Sequence, residues 1–327
     1  MSYDSSKSFR PIVLLNILGK LIKKAIGERI QFHIAANNFI YPSQLSRLKF
    51  KSTTNAGVAL THIIRLGWSK SLPTSTLAFN ISQFFSSLNH HLLMKIIYKV
   101  GLDNHVVDFF SNYLIDRKTN YLWNNFSSSI FDVNVGIGQS LALFPILLAL
   151  YLLPFLYILE KRLKNLKIPI SIISIIDNGL FISQDKSLKV SNGHFFCSYN
   201  IMSNLLDKFG LVAEQSKTEV FHFSRMYSPF NPPPLDLSSL EGPIFSPKNL
   251  WKYLGFIFDR KLIFHQHINF YSNRVISLVK YMKLLGNSSH SISPLQKRLL
   301  YKCCILPIAL YSLPIMVLQP CPIIVLF

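Results

Sequence analysis

Apolar residues recur every three to four positions in several stretches of this chain, which is the period of an amphipathic helix. Between residues 12 and 34, the apolar positions Leu18, Ile22, Ile26 and Ile30 fall on one face, which is predicted to be buried. The same period predicts further helices at residues 56–68, 92–114 (one or two helices), 271–285 and 293–311. Residues 136–159 are predicted to begin in a glycine-bearing turn and to continue as an apolar helix.

A short apolar run with β-branched residues predicts a buried strand at residues 75–81, and residues 212–224 are predicted to include another strand. Residues 172–183 are predicted to form a hairpin with Asp177-Asn178-Gly179 at its tip, because Asx-Gly pairs favour tight turns. A second hairpin is predicted within residues 251–264, with its turn at Asp259-Arg260. Helices mixed with antiparallel strands indicate an α+β architecture.

The charge balance indicates a polyanionic partner. Of 327 residues, 34 are Lys or Arg and 15 are Asp or Glu, which leaves a net charge of +19. Nucleic acid is the commonest partner of so basic a chain, and an anionic membrane surface is the competing interpretation. Residues 141–159 and 303–327 carry no charge and are long enough to span a bilayer, although both contain prolines.

Cysteine spacing and the first residues indicate a reducing compartment. The four cysteines show neither metal-ligand nor disulfide-framework spacing, and core thiols are predicted at Cys197, Cys303, Cys304 and Cys321. The polar opening residues do not resemble a secretion signal, so a nuclear or cytoplasmic location is expected and secretion is not. His265 and His267 are expected on a surface hairpin, since no third metal ligand is evident.

Seven short motifs follow one another along the chain. They are Phe9-Arg10-Pro11-Ile12; Lys49-Phe50-Lys51; motif A, residues 78–85; motif B, residues 136–145; motif C, Ile175-Ile176-Asp177-Asn178; motif D, residues 209–219; and Tyr253-Leu254-Gly255. In this order they resemble the reverse transcriptase domain of non-LTR (LINE-like) retrotransposons. The resemblance extends from Phe9 to about Ser312.

The resemblance implies a right-hand polymerase fold with fingers, a palm built on an antiparallel sheet, and a thumb. Residues 1–73 would form N-terminally truncated fingers, and residues 74–248 the palm with inserted fingers helices. Residues 249–327 would form the primer-grip hairpin and a partial thumb. The apolar run at 141–159 would then be a helix packed under the palm sheet and not a membrane span.

The resemblance also implies roles for individual residues. Lys49 and Lys51 would meet the nucleotide triphosphate, and Phe85 would exclude a ribose 2′-hydroxyl; otherwise Phe84 and Phe85 are simply core residues. Gln139 and Ser140 would line the nucleotide site, Lys217 would protonate the pyrophosphate, and Tyr253, Leu254 and Gly255 would hold the primer. The implied partners are an RNA template, a DNA primer and deoxynucleotides, with no membrane and the oligomeric state left open.

The metal-binding positions depart from the family. Two Mg²⁺ ions carry out nucleotidyl transfer in such enzymes, and these hard cations need anionic oxygen ligands. The family supplies three carboxylates, and this chain keeps only Asp177, because Asn80 and Asn178 stand at the other two positions. Ser140 and Phe144 replace smaller residues. The predicted catalytic set is therefore Asp177, Asn80, Asn178 and Lys217, with Asp177 as the one anionic metal ligand.

These departures lead to three hypotheses. The first is an RNA-directed DNA polymerase fold, from a decayed element copy, with little or no activity. The second is a non-catalytic nucleic-acid-binding remnant whose basic cleft still holds template and primer. The third is a basic membrane protein. Salt dependence of nucleic-acid binding and resistance to carbonate extraction separate the last two.

Overall fold

The computed structural model describes residues 14–45, 51–123, 126–138, 143–225, 232–237, 244–284, 292–311 and 313–317. The helices are α1 (Ile17–Ala36), α2 (Thr53–Ser69), α3 (Phe84–Ser87), α4 (His90–Val100), α5 (Asn104–Leu114), α6 (Phe144–Asn165), α7 (Leu188–Lys208), α8 (His265–Leu284), α9 (Pro294–Leu300), α10 (Leu306–Ala309) and α11 (Leu313–Val317). A 3₁₀ turn covers Gln215–Lys217, and a π-helical turn, Tyr301–Ile305, joins α9 to α10.

Strands alternate with these helices along the chain. They are β1 (Thr74–Ser82), β2 (Lys118–Thr119), β3 (Leu122–Trp123), β4 (Phe126–Ser127), β5 (Phe131–Asp132), β6 (Ile170–Ile175), β7 (Asn178–Gln184), β8 (Val212–Ala213), β9 (Glu219–Phe223), β10 (Leu235–Asp236), β11 (Ile244–Phe245), β12 (Leu250–Tyr253) and β13 (Phe256–Asp259). The main sheet has the order β6-β7-β1-β8, with β9 also paired to β1, and every pairing is antiparallel. The predicted α+β architecture is confirmed.

The central sheet is buried on both faces. Alternation along β1 turns Leu77, Phe79 and Ile81 toward the larger apolar core, which α6 and α7 share. Ala78, on the opposite face, belongs to a second core formed with α2 and the β12–β13 hairpin. Because both faces are covered, only the ends of the strands are left to form a site.

Helix α6 is the centre of the larger core. Its residues from Ile146 to Leu152 are all buried, and it contacts α1, α4 and α7. The expectation that this apolar run packs inside the protein is confirmed. Among the described residues, one helical stretch, Pro294–Met316, is long and apolar enough to cross a membrane, and 12% of its most apolar window is buried.

The predicted buried face of α1 is partly wrong. Leu18 and Ile22 are exposed, whereas the buried residues are Lys23, Gly27, Ile30 and Ile34. Lys23 is buried with its Nζ atom over the face of the Tyr113 ring, 3.9 Å from the ring centre. A lysine can bury its aliphatic stem while an aromatic face stabilises the ammonium, so this residue displaces the apolar stripe by one position.

Both predicted hairpin tips are shifted. The β6–β7 turn is Ile176-Asp177, with Ile176 at φ +55°, and Asn178 pairs with Ile175 inside the ladder. Gly179 is thus a strand residue, and its missing side chain leaves room for Phe79. A Cβ atom at Gly179 would lie 2.0 Å from Phe79 Cζ. Tertiary packing, not turn chemistry, explains this glycine.

The second hairpin turns at Leu254-Gly255, where both residues have positive φ, and not at Asp259-Arg260. Asp259 ends β13, and its carboxylate accepts hydrogen bonds from the backbone N–H groups of Lys261, Ile263 and Phe264. The acidic residue therefore stabilises the loop that leads into α8. This is a capping role that its sequence position did not reveal.

Two predictions about polar side chains are wrong. Cys197, Cys303 and Cys304 are exposed and are not core thiols, while Cys321 lies outside the described residues. His265 and His267 belong to the first turn of α8, not to a surface hairpin, and His267 is buried with its Nδ1 accepting from the Ile257 N–H at 3.1 Å.

Two buried histidines predict acid sensitivity. Burial lowers the pKa of both His222 and His267 from 6.5 to about 4, so each is neutral in the folded protein. Unfolded histidines bind protons below about pH 6.5. The free energy of unfolding should therefore be highest above pH 6.5 and should decrease as the pH falls toward 4. Between pH 7 and pH 5, each histidine should lower it by on the order of 2 kcal/mol.

Guanidinium denaturation at pH 7 and at pH 5 measures this decrease in the free energy of unfolding. His222→Gln and His267→Gln should each flatten the pH dependence, whereas His62→Gln, at an exposed position, should leave it unchanged. Equal pH dependence in all four proteins would contradict the assignment.

Candidate active site

The predicted catalytic positions meet where β1 and β7 end. Asn80 pairs directly with Asn178 in the register of the two strands, so both side chains point to the same face of the sheet. Cβ atoms of directly opposed residues lie about 5 Å apart. Asp177 precedes Asn178 in the turn, and its carbonyl accepts a hydrogen bond from the Ile81 N–H at 2.9 Å. The fold thus brings Asn80, Asp177 and Asn178 together.

The polar contacts within this trio are sparse. Asn178 Nδ2 donates to Asp177 Oδ1 at 3.2 Å. Asn80 Oδ1 is buried and has no hydrogen-bond donor among the described residues. A buried, unsatisfied carbonyl oxygen costs about 1–3 kcal/mol.

These donors do not fit the pair of Mg²⁺ ions that the resemblance implies. Two divalent cations bring four positive charges together, and the trio offers one carboxylate and two neutral amides. An amide oxygen can coordinate a cation but does not neutralise it. Within the described ranges, no group of three or more His, Cys, Asp and Glu side chains could hold a metal ion.

A carboxylate that the sequence analysis did not single out lies on the other side of Asn80. The Glu214 N–H donates to the Asn80 carbonyl at 2.7 Å, which places Glu214 opposite Asn80 across the second edge of β1. Its Oε1 accepts from Ser216 Oγ at 3.1 Å, and its Oε2 lies 3.9 Å from Lys217 Nζ. The i, i+3 spacing of Glu214 and Lys217 was the available signal.

Motif D is therefore joined to motif A through the backbone. Lys217 lies in the 3₁₀ turn, and 58% of its side chain is exposed. The Lys217 N–H and the Thr218 hydroxyl both donate to the Glu214 carbonyl. Glu214 thus positions the turn that carries Lys217, while the proton-donating role of Lys217 stays a prediction.

The motif B turn rests on the end of motif A. The Ile137 N–H donates to the Phe85 carbonyl at 2.8 Å, and the Gly136 N–H donates to the Leu88 carbonyl at 2.7 Å. Gly136 has φ +78°, and a Cβ atom there would lie 2.6 Å from the Ser86 carbonyl oxygen. Only glycine fits both the conformation and the space. Phe85 itself is half-buried against the larger core.

The segment that contains Lys49 and Lys51 is only partly within the described residues. Lys51 donates from Nζ to the Gln44 carbonyl at 2.9 Å, and burial lowers the pKa of its ammonium. Gln44 is itself buried and forms a parallel bridge to Ser174 of β6, which docks this segment on the sheet edge. Lys49, Gln139 and Ser140 lie outside the described residues, so their roles and that of Lys51 stay predictions.

Two tyrosines hold the predicted primer grip. Tyr311 donates from its hydroxyl to the Leu254 carbonyl at 2.6 Å, and Tyr271 donates to the Gly255 carbonyl at 2.8 Å. Tyr253 is buried in the smaller core, and this burial raises the pKa of its hydroxyl. The turn is therefore fixed to α8 and to the segment that follows α10, which sequence reasoning did not foresee.

Known proteins resemble this chain in sequence and in fold. The family profile described as reverse transcriptase (RNA-dependent DNA polymerase) matches residues 3–258. A probable RNA-directed DNA polymerase from transposon BS of Drosophila melanogaster is 23% identical over 318 residues, which are 95% of this chain and 34% of that protein. The chain thus spans about a third of the length of this curated relative.

The fold likeness is to telomerase. The structure of Candida tropicalis telomerase in complex with a fragment of telomeric RNA matches this chain with a TM-score of 0.52 and 12% sequence identity. The match covers 91% of this chain and 46% of the telomerase chain. This likeness confirms the predicted right-hand polymerase architecture. Because the family profile covers most of the 327 residues, and the ordered motifs lie where it matches, the chain belongs to the reverse transcriptase (RNA-dependent DNA polymerase) family.

Proposed function

We propose that this chain is a reverse transcriptase domain that binds an RNA template and a primer but has lost nucleotidyl transfer. The observation that carries the proposal is the register pair Asn80–Asn178 beside the one carboxylate of Asp177. Around this pair the described residues form the motif C turn, the motif B glycine turn and the Glu214 link. These contacts support a loss in side-chain chemistry rather than in the fold.

Charge and homology support binding. The net charge of +19 favours a polyanion, and the telomerase whose fold is similar was solved with RNA bound. The family generally uses divalent metal ions for transfer. Here the neutral amides at positions 80 and 178 leave most of that positive charge uncompensated, so productive metal binding is not expected.

A salt titration combined with primer extension tests the proposal. The unmodified chain should bind a labelled RNA–DNA primer–template and lose about 10²-fold affinity between 50 and 200 mM salt, as neutralising roughly four phosphates requires. It should add no nucleotides with Mg²⁺ or Mn²⁺. Fluorescence anisotropy measures the first and denaturing gels the second.

Each half of the proposal has its own contrary result. Extension by the unmodified chain would show that the site works with one carboxylate. Affinity below detection at 50 mM salt would show that the scaffold no longer binds nucleic acid. A chain retained on neutral vesicles through carbonate extraction, with no affinity for primer–template, would instead support the membrane alternative.

A further inference from the structure

A two-stranded arm lies between α5 and the motif B turn. We define the arm as residues 117–133, of which residues 124 and 125 lie outside the described ranges. Strand β2 pairs with β5 and β3 with β4, and the Val133 N–H donates to the Arg117 carbonyl at 2.7 Å. Its strands pair only with each other among the described elements.

The described side chains of the arm are unusually apolar for their exposure. Tyr121, Leu122, Phe126 and Ile130 are each 64% exposed or more, and Phe131 is 38% exposed. The Tyr121 and Phe131 rings lie 5.3 Å apart at 36°, so they form one aromatic surface. Contiguous exposed apolar surface of this kind marks an interaction site.

The arm is fixed to the candidate active site. Arg117 Nη1 donates to the Gly136 carbonyl at 2.7 Å, and its guanidinium carbon lies 5.6 Å from the centre of the Tyr113 ring. The chain leaves the arm at Val133 and enters the Gly136 turn, which rests on Phe85. The base of the arm is thus tied to the motif B turn, which itself contacts the end of motif A.

The net charge of the whole chain favours one kind of occupant. Residues 119–131 carry no charge, and the charges of Arg117 and Lys118 beside them are offset by Asp116 and Asp132, whereas the whole chain has a net charge of +19. A second copy would bring another +19 against the first, which opposes self-association. A polyanion with exposed aromatic bases matches both the basic chain and the uncharged rings.

We propose that the arm is a stacking platform for single-stranded nucleic acid, which holds the unpaired template next to the active site. Bases would stack on Tyr121 and Phe131 and on the exposed ring of Phe126, without preference for sequence, because every base has a π-face. Duplex nucleic acid does not compete, since its bases are already stacked. The inference rests on the proposed function and names the form of nucleic acid that this region binds.

The test compares single-stranded and duplex ligands. The double variant Tyr121→Ala/Phe131→Ala should bind a labelled 20-nucleotide oligouridine about 10- to 100-fold more weakly than the unmodified chain. Its salt slope should be unchanged, because no charge is removed. Affinity for a duplex of equal length should also be unchanged. Tyr121→Phe/Phe131→Tyr should restore binding.

Tyr98→Ala is the matched control, because Tyr98 is exposed on α4, outside the arm. Equal oligouridine affinity in the double variant and the unmodified chain would overturn the inference and leave the proposed function standing. An unmodified chain that binds neither ligand would overturn both. A dimer by sedimentation velocity that the double variant dissociates would assign the arm to a second copy and refute the platform.

Discussion

Primer extension on an RNA template is expected to appear when Asn80→Asp, Asn178→Asp and Ser140→Gly are combined, at least about 10³-fold above the unmodified chain. The physical reason is the register of β1 and β7. Positions 80 and 178 face each other about 5 Å apart, so two new carboxylates would converge with Asp177. The Ser140→Gly change rests on the family resemblance alone.

Intermediate variants show which position limits the rate. Asn80 lies between Asn178 on one edge of β1 and Glu214 on the other, so Asn80→Asp should contribute more than Asn178→Asp. Steady-state nucleotide incorporation with Mg²⁺ measures each step. Adding Asp177→Asn to the triple variant should abolish the gain. Asn104→Asp, an exposed position at the start of α5, adds a carboxylate outside the site and should give none.

No gain in the triple variant would place the defect elsewhere. Folding of the variant is then the first quantity to compare, by thermal melt and by primer–template affinity. A folded, binding and inactive triple variant would mean that the loss of carboxylates is not the limiting lesion. That result would refute the explanation from Asn80 and Asn178.

Gly179→Ala is expected to destabilise the protein by about 3 kcal/mol or more. A Cβ atom there would lie 2.0 Å from Phe79 Cζ and 2.3 Å from Phe79 Cε2. Phe79 is buried, and its ring lies 4.9 Å from that of Phe181, so it has little room to move. Strand β7 would have to shift, and with it Asn178 and Asp177. Guanidinium denaturation measures the loss.

Gly193→Ala is the matched control. Gly193 lies exposed within α7, and a Cβ atom there meets nothing within 4 Å. Alanine should therefore stabilise this helix by up to about 1 kcal/mol. Pairing Gly179→Ala with Phe79→Leu should recover part of the loss, because the smaller side chain vacates the contested space. A neutral Gly179→Ala would contradict the packing explanation of this glycine.

The two hairpins show where sequence reasoning succeeds and where it stops. It located both hairpins, because apolar alternation and turn-forming residues are local signals. It misplaced both turns, because Asp177-Asn178-Gly179 and Asp259-Arg260 carry turn-forming residues for other reasons. Gly179 makes room for a ring from β1, and Asp259 caps the loop before α8. The first reason lies in β1, which comes close to Gly179 only after folding. The second is a contact with residues two to five positions further along the chain, which the sequence pattern did not distinguish from a hairpin turn.

The candidate site divides in the same way. Motif order predicted Asn80, Asp177, Asn178 and Lys217 as members of one site, and the structure places the first three side by side with Lys217 one turn away through Glu214. Glu214 was missed, although its i, i+3 spacing to Lys217 was visible, because nothing in the sequence joins that pair to Asn80. Tyr271 and Tyr311, which hold the primer-grip turn, were missed because their hydrogen bonds reach Gly255 and Leu254, 16 and 57 residues away.

By itself, the sequence determined the chemical groups that this protein can use: a large basic excess, a family-specific order of motifs, and one carboxylate where the family resemblance implies three. Those facts follow from residue identity, which folding does not alter. Only the tertiary structure decided that Asn80 faces Asn178, that Lys23 is buried and that the aromatic rings of the arm stay exposed. Strand register and burial depend on contacts between distant segments, whose energies no local pattern contains.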